Sequence, residues 1–338
     1  MKQRPTLKDI AKALNVSITT VSRALNDKDD IGQETKNKIL EVARMMNYKP
    51  NAIAISLRKN TTRKLIGVIL PSVEHHFFST ILQGITSSSH QSGYLVMIAE
   101  SGHDPKKEIE IMDQLAEHYV AGIIYAPSKD ASREKNLRHL NGLSIPYVLI
   151  DRTFPNFSGS FVQHDDFRGS YDATSHMIQQ GFRKIAYISG AKNCTVSTER
   201  LMGFQHAITK QGLKKSDCPV YHTTGATKED GFQFGNEFFN SKEDLPQAII
   251  TVTDDVAVGL YTSLKKAGIT IPDDVAIMGY SNAEISSHLS PSLSTVEQNG
   301  QEMGQTAFQF VMNTIEDPNK TFQKTFSSRL LIRESSIK

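Results

Sequence analysis

The stretch from Thr6 to Asn26, TLKDIAKALNVSITTVSRALN, constrains this chain more than any other. Leu7, Ile10, Ala11 and Leu14 recur at i, i+3, i+4 and i+7, which makes one apolar face on a short helix. Asn15-Val16-Ser17 breaks that period, and Ser17 is placed to cap a second helix by accepting a backbone N–H of its first turn. In that helix Val21, Ala24 and Leu25 point back at the first, leaving Ile18, Thr19, Ser22 and Arg23 outward. Two short helices joined by a tight turn, the second showing small polar groups and one arginine, can present side chains to a DNA major groove. The same pattern also occurs in helical hairpins of larger cores.

The neighbourhood weighs against the hairpin. A third amphipathic run over residues 34–47, with Ile39, Val42, Ala43 and Met46 at helical spacing, closes a three-helix unit. Residues 1–64 hold fourteen Lys/Arg against six Asp/Glu, a net of +8, whereas residues 65–338 carry a net of −6. The mild overall charge of +2 therefore hides a basic head on an acidic body. That is the electrostatic footprint of a DNA-binding module.

The run T-L-K-D-I-A…V-S-x-x-T-V-S-R-A-L-N, followed by Y-K-P-N-A at 48–52, resembles the headpiece of the LacI/GalR (lactose-repressor) family of bacterial transcription regulators. The resemblance implies DNA contacts from Thr6, Leu7, Ser17, Ile18, Thr19, Thr20, Ser22, Arg23 and Asn26. Ile18, Thr19 and Arg23 are expected at the bases, with Thr20 and Ser22 nearer phosphates. Residues 51–64, NAIAISLRKNTTRK, hold one apolar octet and a basic tail. A helix of eight residues is too short to be stable alone, because nucleation is costly. By composition the segment reads as a linker. The resemblance makes it a hinge helix that contributes Asn51, Ala54, Leu57 and Arg58, with Leu57 wedged between base pairs in the minor groove.

At 338 residues the chain is too long for one core. It has no apolar run of membrane-spanning length, and its first ten residues, MKQRPTLKDI, lack the apolar core of a signal peptide. Cys194 and Cys218 are the two cysteines, without a CxxC or Cys/His cluster, so neither disulfide framework nor structural zinc is expected. A soluble cytoplasmic protein without a cofactor is the simplest reading.

From Leu65 on, short apolar runs alternate with helical stretches. Strands are predicted at 65–70, 94–99, 122–126 and 147–151, then at 184–190, 219–222, 248–252 and 275–280, with amphipathic helices between them. This alternation argues for α/β sheets with helices on both faces, arranged in two lobes. The tail supplies a strand candidate at 293–296, a helix at 300–314 and a last strand at 326–332, which complete the two sheets already built. The family resemblance implies a periplasmic-binding-protein-like core crossed three times by the chain. The expected organisation is a headpiece at 1–50 and a hinge at 51–64. One lobe then takes 65–161 plus 292–322, and the other 162–291 plus 323–338.

Ligands of open α/β sheets lie beyond the carboxyl ends of the strands. The residues following the predicted strands are therefore effector candidates: Phe77, Asp151, Arg200, Thr253, Asp254 and Ser281. Arg200 matches the arginine of the family's R-x-x-G-F motif, and its guanidinium is suited to sugar hydroxyls or a carboxylate. Its replacement by alanine is expected to remove the ligand response without unfolding the lobes. Two departures stand out. Gly279-Tyr280-Ser281-Asn282 replaces the family's G-[FY]-D-[DN], so a hydroxyl stands where a sugar-binding carboxylate is common. Ala226 stands where relatives often place an aromatic residue. Both weaken the case for a simple neutral hexose and leave a sugar phosphate, an acidic sugar or an oligosaccharide open. His164, at the expected lobe crossing, reads as structural.

An enzyme on a Rossmann-like sheet is the competing class. However, GxGxxG after the first strand, a Walker A sequence, GxSxG and HExxH are all missing. A solute-binding transport component would share the two lobes but have no use for residues 1–60. The expectation is a sequence-specific, effector-controlled transcription regulator, a repressor. It would bind pseudo-palindromic operator DNA as a homodimer, since one helix-turn-helix reads only a few base pairs. The chain ends at ESSIK without a leucine-heptad tail, which favours a dimer over a tail-joined tetramer.

Overall fold

The computed structural model describes residues 5–26, 28, 30–48, 64–128, 133–153, 157–192, 194–239 and 245–337. The chain divides into two compact units, residues 1–63 and 64–338. The hinge residues Asn51, Ala54, Leu57 and Arg58 lie outside the described residues.

In the first unit α1 (Leu7–Leu14), α2 (Ile18–Leu25) and α3 (Gln33–Met45) follow the predicted periodicity. Asn15 ends α1 at φ 50°, a left-handed conformation that asparagine tolerates better than most residues. Ser17 caps α2 as expected: its Oγ accepts the Thr20 N–H at 3.0 Å. Ile10, Ala11, Val21, Ala24, Ile39 and Ala43 close the core, with Leu7 packed against it. Ser22 departs from the outward position expected of it, being only 6% exposed. It lies beyond Leu25 from Val21 on the helix surface, at the edge of the stripe that α2 buries.

The second unit holds two parallel sheets. The first, in the order β11-β5-β4-β3-β1-β2, comprises β1 (Leu65–Leu70), β2 (Leu95–Glu100), β3 (Gly122–Tyr125), β4 (Tyr147–Asp151), β5 (Phe161–His164) and β11 (Gln323–Phe326). The second, β7-β6-β8-β9, comprises β6 (Ile185–Ser189), β7 (Val220–His222), β8 (Ala248–Thr251) and β9 (Ala276–Met278). It is extended through a Met278/Ser294 bridge by the antiparallel pair β10 (Thr295–Glu297) and β12 (Arg329–Leu331). Helices α4 (His76–Gln91) and α11 (Gly300–Glu316) cover one face of the first sheet, whose core they share. They approach backbone to backbone: a Cβ on Gly84 would fall 2.0 Å from the Gln301 carbonyl, and one on Gly304 2.1 Å from that of Ile81. The other face is packed by α5 (Pro105–Glu117) and α6 (Arg133–Gly142). Around the second sheet lie α7 (Asp166–Gln179), α8 (Thr195–Lys210), α9 (Lys228–Phe238) and α10 (Asp254–Lys266).

The predicted strand at 326–332 is two strands. β11 pairs with β5 in the first sheet and β12 with β10 in the second, so the chain changes lobe within Ser327-Ser328. β5 itself, FVQH, is too short and too polar to stand out by period. The crossings accordingly fall after 164, 297 and 326 rather than at the expected limits of 161, 292 and 322, which would cut β5 and misassign β10 and β11.

Candidate functional site

On the first unit the outer surface of α2 carries Ile18, 49% exposed, with Thr19 and Arg23 beside it. Arg23 forms an ion pair with Asp30, and both side chains are half exposed. Thr20 is half-buried and hydrogen-bonds Ser17 through its hydroxyl at 2.8 Å. Asn26 is turned into the helix end, its Nδ2 donating to the Ser22 carbonyl at 2.6 Å. Thr6 donates from its N–H and its hydroxyl to Asp9 Oδ2, at 2.8 and 2.7 Å, fixing the start of α1. Ile18 and Thr19 are thus exposed on this surface, while Arg23, Thr20, Asn26 and Thr6 each have a partner within the unit.

In the second unit the strand order reverses between β1 and β3 in one sheet and between β6 and β8 in the other. These are the switch points where open α/β sheets bind ligands. The segments that follow those strands meet in a cavity of about 750 Å³ including its mouth. All six sequence-derived effector candidates, Phe77, Asp151, Arg200, Thr253, Asp254 and Ser281, line it. Six of the ten non-glycine residues with positive φ among the described residues line this cleft and its continuation: His103, Asp151, Ala226, Ser281, Asn282 and Asn299. Backbone held in sparsely populated regions concentrates at ligand clamps.

Lining the cavity and being available to a ligand prove to be different properties. Asp254 accepts from the Ala283 N–H and the hydroxyls of Ser286 and Thr295, all at 2.7 Å, so three of the roughly four acceptor sites of its carboxylate are used within the protein. Thr253 caps α10, accepting from Val256 N–H at 3.3 Å while donating to the Ala226 carbonyl at 3.1 Å. Both side chains hold the cavity wall together while lining it. Arg200, only 3% exposed, donates from Nε to Asp166 at 2.7 Å and from Nη1 to the Val252 carbonyl at 2.6 Å, and lies 3.6 Å over the Tyr280 ring. Burial is the largest influence and opposes its charge, but Asp166, by charge and hydrogen bond, together with Tyr280 and Tyr187 holds the guanidinium protonated. It fastens the cavity floor before it can serve a ligand.

Asp151 is the carboxylate that remains. Buried at the end of β4 with φ 70°, it has Arg152 Nε 3.4 Å away. Burial pushes its carboxyl up to about 6, opposed by Arg152 and reinforced by Asp166. Because the folded chain holds that proton more tightly than the unfolded chain, this group's contribution to stability is favourable at low pH and is lost as pH rises through about 6. Arg152 donates from Nη1 to the Pro127 carbonyl at 2.9 Å, but its buried Nε has no hydrogen-bond partner. Gln298, 1% exposed, likewise keeps a buried Nε2 without a partner. Across the cleft, His75 Nδ1 on one lobe lies 3.4 Å from Asp255 Oδ2 on the other, and His75 is the first cause holding that carboxyl below its usual range. Phe77 packs at 5.6 Å against Phe78. His164 is buried edge-on to Tyr280, and burial pushes its imidazole below the ordinary value, in keeping with a structural place. Arg152 stood next to a candidate in the sequence, whereas Gln298 carried no local signal, since it follows β10 at a lobe crossing. Among the described residues no group of His, Cys, Asp and Glu is arranged to hold a metal ion.

Two family models cover this architecture end to end. Residues 6–51 match the bacterial regulatory proteins of the lacI family, and residues 63–336 match the periplasmic binding proteins and sugar binding domain of the LacI family. This chain belongs to the LacI family. Its relatives in the LacI family include the HTH-type transcriptional regulator RegA of Clostridium saccharobutylicum, 30% identical over 98% of this chain and 99% of RegA. The HTH-type transcriptional repressor PurR of Haemophilus influenzae (strain PittEE) is 31% identical over 98% of each chain. In fold the chain is similar to the lac repressor dimer bound to operator and the anti-inducer ONPF, with a TM-score of 0.84, 22% identity and coverage of 99% of this chain and 100% of that one. As a LacI-family member it is a DNA-binding transcription regulator with a sugar-binding-type core. Among the described residues no helix is long and apolar enough to cross a membrane.

Proposed function

We propose that this regulator is a cytoplasmic homodimeric repressor whose hold on a pseudo-palindromic operator is set by a sugar or sugar derivative bound between the lobes. The observation that carries the effector reading is a cavity at two sheet switch points where Gln298 Nε2 has no hydrogen-bond partner and Arg152 Nε has only the Asp151 carboxylate, 3.4 Å away, without a hydrogen bond to it. Unpaired buried donors are costly, and a hydroxyl-rich ligand would satisfy them. The PurR relatives are named repressors, which supports the sign of regulation. The edge strand β2 leaves Leu95 73% and Ile98 46% exposed, apolar surface of the kind that a second copy covers. A ligand that favours one closure of the lobes shifts DNA affinity by no more than its differential affinity for the two states. A regulator acting on chromosomal DNA works in the cytoplasm.

Fluorescence titration of labelled operator at fixed salt tests the DNA reading. Arg23→Ala is expected to cost about 1–3 kcal/mol, the worth of a good base contact, and saturation is expected at two chains per duplex. Unchanged affinity would remove Arg23 from the readout, and saturation at one chain would remove the dimer.

Asp151 supplies the test of the effector reading. Sugar hydroxyls donate more strongly to a carboxylate than to its protonated form, which also loses an acceptor site, so affinity is expected to fall as pH drops through about 6. The fall approaches about tenfold per unit below that point, and Asp151→Asn should abolish it. Calorimetric affinities that are flat between pH 5 and 8 would take Asp151 out of the ligand site.

A further inference from the structure

The cleft continues past the cavity described above into a second chamber of about 710 Å³ including its mouth. His76, Phe77, Ser281 and Gln298 line both, so the two are rooms of one cleft. Gln298 stands at the junction with its buried, unpaired Nε2. Gly300, in its wall, lies close against the facing helix: a Cβ there would fall 2.1 Å from Thr80 Oγ1. The chemistry of the second room differs from that of the first. Glu297 and Glu302 line it, and no lysine or arginine does. Asn282 donates to Glu297 Oε2 at 2.6 Å and accepts from Arg333 Nη2 at 2.8 Å, which fixes the Glu297 carboxylate in the wall.

We propose that the effector is a saccharide of at least two units, one ring held by Asp151 in the first cavity and a neutral, hydroxyl-bearing second unit in this chamber. Hydroxyls of the second unit donate to Glu297 and Glu302, and one of its oxygens accepts from Gln298 Nε2. A phosphate or carboxylate on that unit would meet two carboxylates with no cationic side chain to offset them, so an anionic group is disfavoured there. The inference rests on the reading of the cleft as a sugar site.

Calorimetry on the full-length protein distinguishes the two. The ligands are cellobiose, maltose, lactose, sucrose, trehalose and melibiose, with their component glucose, galactose and fructose, and with glucose 6-phosphate. At least one disaccharide is expected to bind about tenfold or more tightly than its components. Glu302→Trp, at the exposed rim, should remove most of that gain while leaving monosaccharide affinity and the free protein's melting temperature unchanged. Monosaccharides binding as tightly as every disaccharide, or a disaccharide affinity indifferent to Glu302→Trp, would overturn the two-unit proposal and leave the sugar site standing. Tighter binding of glucose 6-phosphate than of the disaccharides would overturn it as well. Absence of binding by every sugar tested would reject the sugar reading, and this inference with it.

Discussion

Arg200→Ala is expected to destabilise the core by about 3–5 kcal/mol, the cost of breaking a buried pair from one side. The substitution strands Asp166, 1% exposed, without the guanidinium that neutralises it at 2.7 Å. It also frees the Val252 carbonyl and uncovers the Tyr280 ring, which join β8, β9 and α8. The expectation from sequence, that Arg200→Ala would silence the ligand response and leave the lobes folded, is replaced by this one. Urea unfolding followed by far-ultraviolet circular dichroism measures it directly. Replacing the pair together by apolar residues, Arg200→Met with Asp166→Leu, should recover much of the loss, because neither partner is then left as a buried charge. A single alanine variant with the parent's midpoint would mean that the pair contributes nothing and that Arg200 is free to serve the ligand after all.

Ile39→Ala is expected to abolish operator binding through the fold of the first unit rather than through any contact with DNA. Ile39 is fully buried in a core of six residues shared by three short helices. Truncating a buried isoleucine costs about 2–5 kcal/mol, a large share of what so small a unit can hold. Residues 64–338 form their own compact unit, so the core's melting transition should stay where it is while specific DNA binding disappears. Calorimetry with operator titration reads both at once. Operator affinity close to the parent's would show that the first unit folds without Ile39, and a lowered core transition would show that the two units do not fold independently. Arg23→Ala makes a useful companion, since it removes a half-exposed side chain and should lower affinity with the headpiece intact.

The interior strands were legible because parallel strands covered on both faces read as unbroken apolar runs, as LIGVIL and AIIT do here. Their carboxyl ends could be named from the same runs, which is why all six effector candidates reach the cavity wall. Ser22 was misplaced because a polar side chain beside an apolar stripe looks exposed until the width of the neighbouring helices' contact is known. β5 and the break at Ser327-Ser328 were not legible. Four alternating residues carry little period, and only pairing across the lobes shows where one sheet ends and the other resumes.

The chain's local order was enough to determine its elements, its basic reader and its membership of a two-lobed class, because helical and strand periods are properties of neighbouring residues. Tertiary structure alone decided which polar groups are spent and which are free. Asp254 accepts from Thr295, forty-one residues away, and Arg200 donates to Val252, fifty-two residues away. Gln298, by contrast, reaches the cleft with nothing to donate to. A hydrogen-bond partner is set by which strands end side by side, and that adjacency arises only when both sheets have assembled.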